Sequence, residues 1–218
     1  MQPMLMIALA AAASVPLGLS LRHNLATLSY RNGGEQDVPR PGPRWWVVWA
    51  SVLAVSSLTA AASLSGRPLT YLPLLPLAVA GPWLAAVDFD VMRLPNRALA
   101  PTAGTTLLAI AGVGTVTQDW RTLVVPATAA LATGGVFAAI HFATKGGIGF
   151  GDVKLTTVIG LAVGPLGIGA VWLSVLTGSL AALIWAKASR KFHPIAYGPW
   201  LLCGSWIATF TATVASSS

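Results

Sequence analysis

Long apolar runs separated by short polar knots extend along the whole of this 218-residue chain. A run of about 17–25 apolar residues has the length of a membrane-crossing helix. Such runs occupy residues 3–21, 45–64, 69–87, 98–116, 123–142 and 197–214. Residues 153–185 are almost wholly apolar, Lys154 being their one charged residue, and are broken by Gly164-Pro165-Leu166-Gly167. Proline lacks an amide donor and ends helices, so this stretch reads as two short antiparallel helices, 153–163 and 168–185. The first is short for a full crossing, which sets its start below the membrane interface. The pattern predicts an all-α, polytopic integral membrane protein: one membrane domain, 1–218, with about eight transmembrane helices.

The polar connections differ in character. Residues 22–44 hold Gly33-Gly34, three prolines, four arginines, Glu35 and Asp37. That mixture reads as an extended loop, not a folded domain. Trp45, Trp46 and Trp49 open the next run as an interfacial belt. A charged knot, Asp88-Phe89-Asp90-Val91-Met92-Arg93-Leu94-Pro95-Asn96-Arg97, separates the third and fourth runs. A turn with Gln118, Asp119, Trp120 and Arg121 follows the fourth. After the fifth comes Gly146-Gly147-Ile148-Gly149-Phe150-Gly151-Asp152-Val153-Lys154, where four glycines precede one carboxylate and one lysine. Glycines permit tight turns and close approach of other groups. A carboxylate at the mouth of an apolar segment is costly unless something uses or neutralises it.

Composition agrees with the pattern. Charged residues make up 9% and hydrophobic ones 55%, with a mean hydropathy of +0.73, whereas soluble domains are about a quarter charged. No room is left for a large soluble domain. The net charge of +7 reads as topology rather than as a nucleic-acid surface, because basic loops mark the cytoplasmic side. Arg22 follows the first apolar run, whereas a signal peptide carries its positive charge first. The first run is therefore expected to be retained, with the N-terminus outside. Eight crossings then place Arg22, Arg31, Arg40, Arg44, Arg93, Arg97, Lys145, Lys154, Lys187, Arg190 and Lys191 inside, and leave Arg67 and Arg121 outside. Contact with anionic lipid is a companion reading of the same residues. The single cysteine, Cys203, excludes an intrachain disulfide and a multi-cysteine zinc site.

This topology puts the Asp88 knot and the Asp152 stretch on one cytoplasmic face. Of the six acids, Glu35, Asp37 and Asp119 read as solvated surface charges, leaving Asp88, Asp90 and Asp152 at the ends of spans. One reading makes these helix-end charges, Asp152 being stabilised by a helix dipole. Another makes two of them a pair. Two carboxylates in a partly desolvated site cannot both ionise cheaply, so one keeps a proton and the pair is an acid and a base at once. Such a pair can activate water against a peptide carbonyl. A third reading is a small transporter whose carboxylates carry protons, favoured by the broken helix at Gly164-Pro165. A noncatalytic component of a secretion apparatus is a fourth. His141, near the glycine stretch, is a further candidate for the site. His23 and His193 read as interfacial, and no set of metal ligands at defined spacing is visible.

Three motifs in order change the weighting. Gly149-Phe150-Gly151-Asp152, followed by Val153-Lys154-Leu155, resembles the GxGD motif of the bacterial type IV prepilin peptidases, membrane aspartic proteases related to archaeal preflagellin peptidases. Asp88 lies seven residues before Pro95-Asn96, as an aspartate does before Pro-Asp or Pro-Asn in that family. Ile195-Ala196-Tyr197-Gly198-Pro199-Trp200-Leu201 is similar to the family's closing FGP segment, with Tyr in place of Phe. The resemblance makes residues 69–218 the peptidase core and 22–44 a cytoplasmic loop. It implies a multi-pass protein of the bacterial cytoplasmic membrane that cuts the basic leader from a prepilin or pseudopilin at the cytoplasmic face. Asp88 and Asp152 would be the catalytic pair and Asp90 an accessory. Gly149 and Gly151 would allow close approach, and Lys154 would balance charge near the pair or snorkel to the surface. The implied partners are the pilin precursor and the bilayer, with no nucleic acid, metal or cofactor. Many members also carry a cysteine-rich segment after the first span and N-methylate the new N-terminus with S-adenosylmethionine. Residues 22–44 contain no cysteine, so peptidase activity alone is expected.

Overall fold

A computed structural model of the chain describes residues 3–189 and 195–217. They form eight α-helices and no β-strand: α1 (Pro3–Ala26), α2 (Trp46–Leu64), α3 (Leu75–Val91), α4 (Asn96–Thr117), α5 (Arg121–Ala143), α6 (Phe150–Val163), α7 (Ile168–Ala188) and α8 (Gly198–Ser217). Among the described residues, six segments are long and apolar enough to cross a membrane. They are α1, α2, α3 with its preceding turn, α4, α5 and α7. The protein is thus an all-helical, multi-pass membrane protein. Helices α6 and α8 stand outside that group of six. The basic residues Arg190 and Lys191, with His193, lie outside the described residues.

Helix α6 is the centre of the bundle. It has 14 residues and so rises about 21 Å, well short of a hydrocarbon core of about 30 Å. Val153, Leu155, Thr156, Val158, Ile159, Gly160, Leu161, Ala162 and Val163 are buried, while Phe150 is exposed and Lys154 and Thr157 are partly so. From Val158 on the helix is apolar all round, as a helix inside a bundle is. It packs on α4, α5, α7 and α8. Its contact with α5 is close because a Cβ at Gly160 would fall 2.7 Å from the Ala130 Cα. Around this centre α1 pairs with α2, α7 with α8, and α3 lies between α2 and α8.

Prolines adjust two of the expected spans. The third begins as a 3-10 turn, Pro68–Leu74, because Pro68 and Pro73 cannot donate the amides of a regular α-helix. At the break between α6 and α7, Gly164–Leu166 forms another 3-10 turn, and Gly167 has φ 104. These two turns meet at one end of the bundle.

At the opposite end the other connections converge. The guanidinium of Arg93 bonds Glu35, Arg97 donates to the Ser29 carbonyl, and Gly198 N–H reaches Asp88. This end carries Arg22, Arg31, Arg40, Arg44, Arg93, Arg97, Lys145, Lys154 and Lys187 among the described residues, against Arg67 and Arg121 at the other.

The segment 22–44 departs from the extended loop that its composition suggests. Helix α1 continues to Ala26. The chain then folds back, with Arg31 donating to the carbonyls of Val38 at 2.7 Å and Pro39 at 3.0 Å. Glu35, expected as a solvated charge, instead forms an ion pair with Arg93 at 2.9 Å and keeps 22% of its side chain exposed. The cause is the Arg93 guanidinium, which meets the Glu35 carboxylate with two hydrogen bonds. Asp37 and Asp119 do lie exposed, and Asp119 accepts from the Arg121 amide in its own turn at 2.9 Å.

Candidate active site

The knot between α3 and α4 is built by backbone geometry. Met92 adopts the left-handed conformation, φ 49, and its N–H closes the last turn of α3 on the Asp88 carbonyl at 2.9 Å. Pro95 is extended and begins α4, consistent with a ring that fixes φ and lacks a donor. Asp88 and Asp90 are two residues apart in the last turns of one helix, which turns them roughly 200° from each other. They therefore meet different neighbours.

Asp88 faces inward and is 3% exposed. Its Oδ2 accepts the Gly198 N–H at 2.9 Å, from the first residue of α8. Asp90 faces the α1–α2 connection. Its carboxylate pairs with Arg31 at 2.8 Å and Arg44 at 3.2 Å, and its side chain is 5% exposed. It also accepts the Tyr30 hydroxyl and Arg31 Nε at 2.9 Å. Asp90 is thus neutralised in place and ties the loop to α3.

Asp152 stands in the first turn of α6, which starts after an extended Gly149. Two glycines make its position possible. A Cβ on Gly151 would lie 3.1 Å from Leu94 Cβ and 3.3 Å from Leu94 N, so α6 begins directly against the Asp88 knot. A Cβ on Gly149 would lie 3.1 Å from Asp152 Oδ2. Asp88 and Asp152 line a single cavity of about 370 Å³, together with Pro95, Asn96, Gly149 and Gly151. They are close enough to interact electrostatically. Two helix N-termini converge on the pair, that of α6 under Asp152 and that of α8 on Asp88. Such ends carry free amides and favour negative charge.

The flanking groups brace this arrangement. Lys154 also lines the cavity; its Nζ donates to Asn96 Oδ1 at 2.7 Å and lies 4.9 Å above the Phe150 ring. It links α6 to the start of α4. His141 Nδ1 bonds the Ile148 carbonyl at 2.7 Å, and its ring packs on Phe150 at 5.4 Å. His141 therefore braces the glycine loop rather than lining the cavity. Tyr197 donates to Ser179 Oγ at 2.6 Å, tying the approach to α8 onto α7. In the loop, Arg93's hydrogen bond holds the Glu35 carboxyl below its usual range. Burial pushes the Tyr30 hydroxyl up.

A larger groove, about 580 Å³, runs between α2, α3 and α8, and Cys203 opens into it. It carries no carboxylate, unlike the smaller cavity. Among the described residues no group of three His, Cys, Asp or Glu is placed to hold a metal ion.

Two contacts were not expected from the sequence. Gly198 lies in the segment 195–201 singled out by its motif resemblance, but the contact of its amide with Asp88 was not foreseen; Pro199 in the first turn of α8 marks a helix start with free N–H groups. The Tyr30, Arg31 and Arg44 clamp on Asp90 had no signal at all, since Arg31 and Asp90 are 59 residues apart.

Comparison with known proteins bears on the same region. The model of the type IV leader peptidase family matches residues 74–186, a stretch that includes both Asp88 and Asp152. A "Prepilin leader peptidase/N-methyltransferase" of Bacillus subtilis (strain 168) is 34% identical over 128 residues, which is 57% of this chain and 50% of that protein. The chain thus spans about half the length of this curated relative. No solved structure matches it.

Proposed function

Because the chain belongs to the type IV leader peptidase family, we propose that it is an intramembrane aspartic endopeptidase. It removes the basic leader peptide from prepilin or pseudopilin precursors at the cytoplasmic face of the bacterial inner membrane. The observation that carries this reading is the meeting of Asp88, from α3, and Asp152, from α6, in one cavity at the basic end of the bundle. The excess of arginine and lysine at that end supports a cytoplasmic placement, with eight crossings and the N-terminus outside.

In the proposed mechanism the pair shares one proton, which belongs to both carboxyls together. The ionised carboxylate takes a proton from a water held between them, and the water oxygen bonds to the scissile carbonyl carbon. The protonated carboxyl gives its proton to the carbonyl oxygen. The tetrahedral intermediate then collapses: the C–N bond breaks, the departing amine takes a proton from the carboxyl that had accepted one, and the other carboxylate takes a proton back from a hydroxyl of the intermediate, which restores the shared proton. This is general acid–base catalysis with no covalent enzyme intermediate. The Gly198 amide orients Asp88. Gly149 and Gly151 keep the approach to Asp152 clear, and Pro95 ends the turn that aims Asp88. Lys154 and Asn96 brace the cavity wall, and Asp90 anchors the last turn of α3. A proton-carrying transporter is disfavoured, because the acids gather at one end of the bundle instead of along a path through it.

The test is co-expression with a prepilin precursor and mass spectrometry of the pilin N-terminus. Asp88→Asn and Asp152→Asn are each expected to abolish cleavage, and Asp90→Asn to retain part of it. Cleavage by both of the first two variants would sink the dyad. The relative of B. subtilis is named also as an N-methyltransferase. For this chain, with no cysteine in residues 22–44, we propose the peptidase alone, and a methylated pilin N-terminus would overturn that.

A further inference from the structure

A second polar cavity, about 320 Å³, lies beside α1 at the same end of the bundle, between Arg22, His23 and the segment 40–44. Its walls carry three arginines, Arg22, Arg40 and Arg44, and no acid. Arg44 is committed elsewhere, to the Tyr30 hydroxyl at 2.9 Å and to Asp90. Arg22 is held rigidly: its guanidinium carbon sits 3.8 Å from the centre of the Trp45 ring, and its Nε donates to the Pro43 carbonyl at 2.9 Å. That leaves both terminal nitrogens of Arg22 without an acceptor among the described residues. Arg40 has neither an ion pair nor a hydrogen bond among them. Arg22 and Arg40 therefore border one cavity with no acid on its walls, and the Arg22 guanidinium is already fixed in orientation.

The depth of the cavity bears on what fills it. Trp45, Trp46 and Trp49 are 52%, 41% and 66% exposed, and such tryptophans settle at headgroup level. The cavity opens beside α1, whose Val15 and Leu19 are exposed apolar residues. A ligand seated here would have its anion among arginines and an apolar surface beneath it. Guanidinium groups match the oxygens of a phosphate in a planar fork, and the basic end of a membrane protein faces the leaflet that holds anionic lipid.

We propose that this cavity is a phosphate-binding site that holds the headgroup of an anionic phospholipid. The site is separate from the aspartate cavity and does not depend on the peptidase reading. Its occupant is a phosphodiester with net negative charge, gripped by Arg22 and Arg40.

Native mass spectrometry of the detergent-purified full chain, titrated with phosphatidylglycerol or phosphatidylcholine, tests this. Phosphatidylglycerol is expected to bind more tightly. Arg40→Gln should weaken it on the order of fivefold, and Arg22→Gln with Arg40→Gln by roughly twenty-five-fold. Arg40→Lys keeps the charge without the planar fork and should lose less than Arg40→Gln, which separates loss of charge from loss of fold. Arg67→Gln with Arg121→Gln, at the other end, should change nothing. Equal binding of the two lipids, or equal losses in the control at the other end, would overturn the proposal. So would displacement of phosphatidylglycerol by equimolar inorganic phosphate, which would mark a soluble anion as the ligand, or by an equimolar short acidic peptide, which would mark a carboxylate site.

Discussion

Replacing Gly198 with alanine tests the geometry of the aspartate pair without touching either carboxylate. The added Cβ would stand 3.0 Å from Asp88 Oδ2, and ordinary contact begins at 3.4 Å, so the carboxylate must retreat by about 0.4 Å. The Cβ would also stand 3.4 Å from Leu155 Cδ2, which sits on the central helix and has little room to move. The retreat stretches the Gly198–Asp88 hydrogen bond from 2.9 Å, and a hydrogen bond to an ionised group is worth about 1.5–3 kcal/mol. A misplacement of about 1 Å in a catalytic group costs on the order of a hundredfold. Together these set the expected loss in kcat between about tenfold and a hundredfold, with little change in KM, because the substrate-facing surface is untouched. The assay is leader cleavage of a purified prepilin followed over time. Gly33→Ala serves as control, since nothing lies within 4 Å of its new Cβ. Full activity of Gly198→Ala, with the fold intact by thermal melting, would refute the claim that this amide positions Asp88.

Three further outcomes are expected. Asp90→Asn should lower the melting temperature by more than about 5 °C, because two arginines lose a buried counter-charge, while cleavage falls less than tenfold; an unchanged melting curve would deny Asp90 its anchoring role. Lys154→Met and Asn96→Ala should each reduce cleavage by a fewfold, and the double variant should be no worse than the poorer single one; additive losses would show that the 2.7 Å bond is not what matters. Glu35 has a carboxyl held below its usual value by Arg93, so the pair stabilises the docked loop fully above the ordinary carboxylate pKa. That contribution fades as pH falls through the lowered value. Glu35→Gln should accordingly speed hydrogen exchange in residues 27–45 at neutral pH and make no difference in strong acid; an equal effect at both pH values would refute this.

The helices were legible because run length and proline position are local properties. The breaks at Gly164-Pro165 and Pro95 fall where a missing amide donor requires them. The separation of Asp88 from Asp90 was indicated by a motif offset, and the fold supplies the physical cause in the turn of one helix between two neighbours. What escaped notice was long-range or carried by backbone. Glu35 looked like any loop acid, because its partner Arg93 is 58 residues away and only the folded bundle brings them together. Gly198 offers an amide, which no residue type announces. The compact docking of residues 27–45 rests on arginines that composition alone marks as solvated.

The two carboxylates of the cavity belong to different halves of the chain, Asp88 in α3 and Asp152 in α6, and a single exposed turn between α4 and α5 separates those halves. Trp120 in that turn is 66% exposed, and Gln118 has φ 53. A polypeptide divided there would leave Asp88 on one fragment and Asp152 on the other. Neither fragment alone would contain a pair, so any cleavage would report reassembly of the two within the bilayer. On the proposed reading the chain thereby contains the layout of a split reporter for helix association in membranes, silent until its halves find each other.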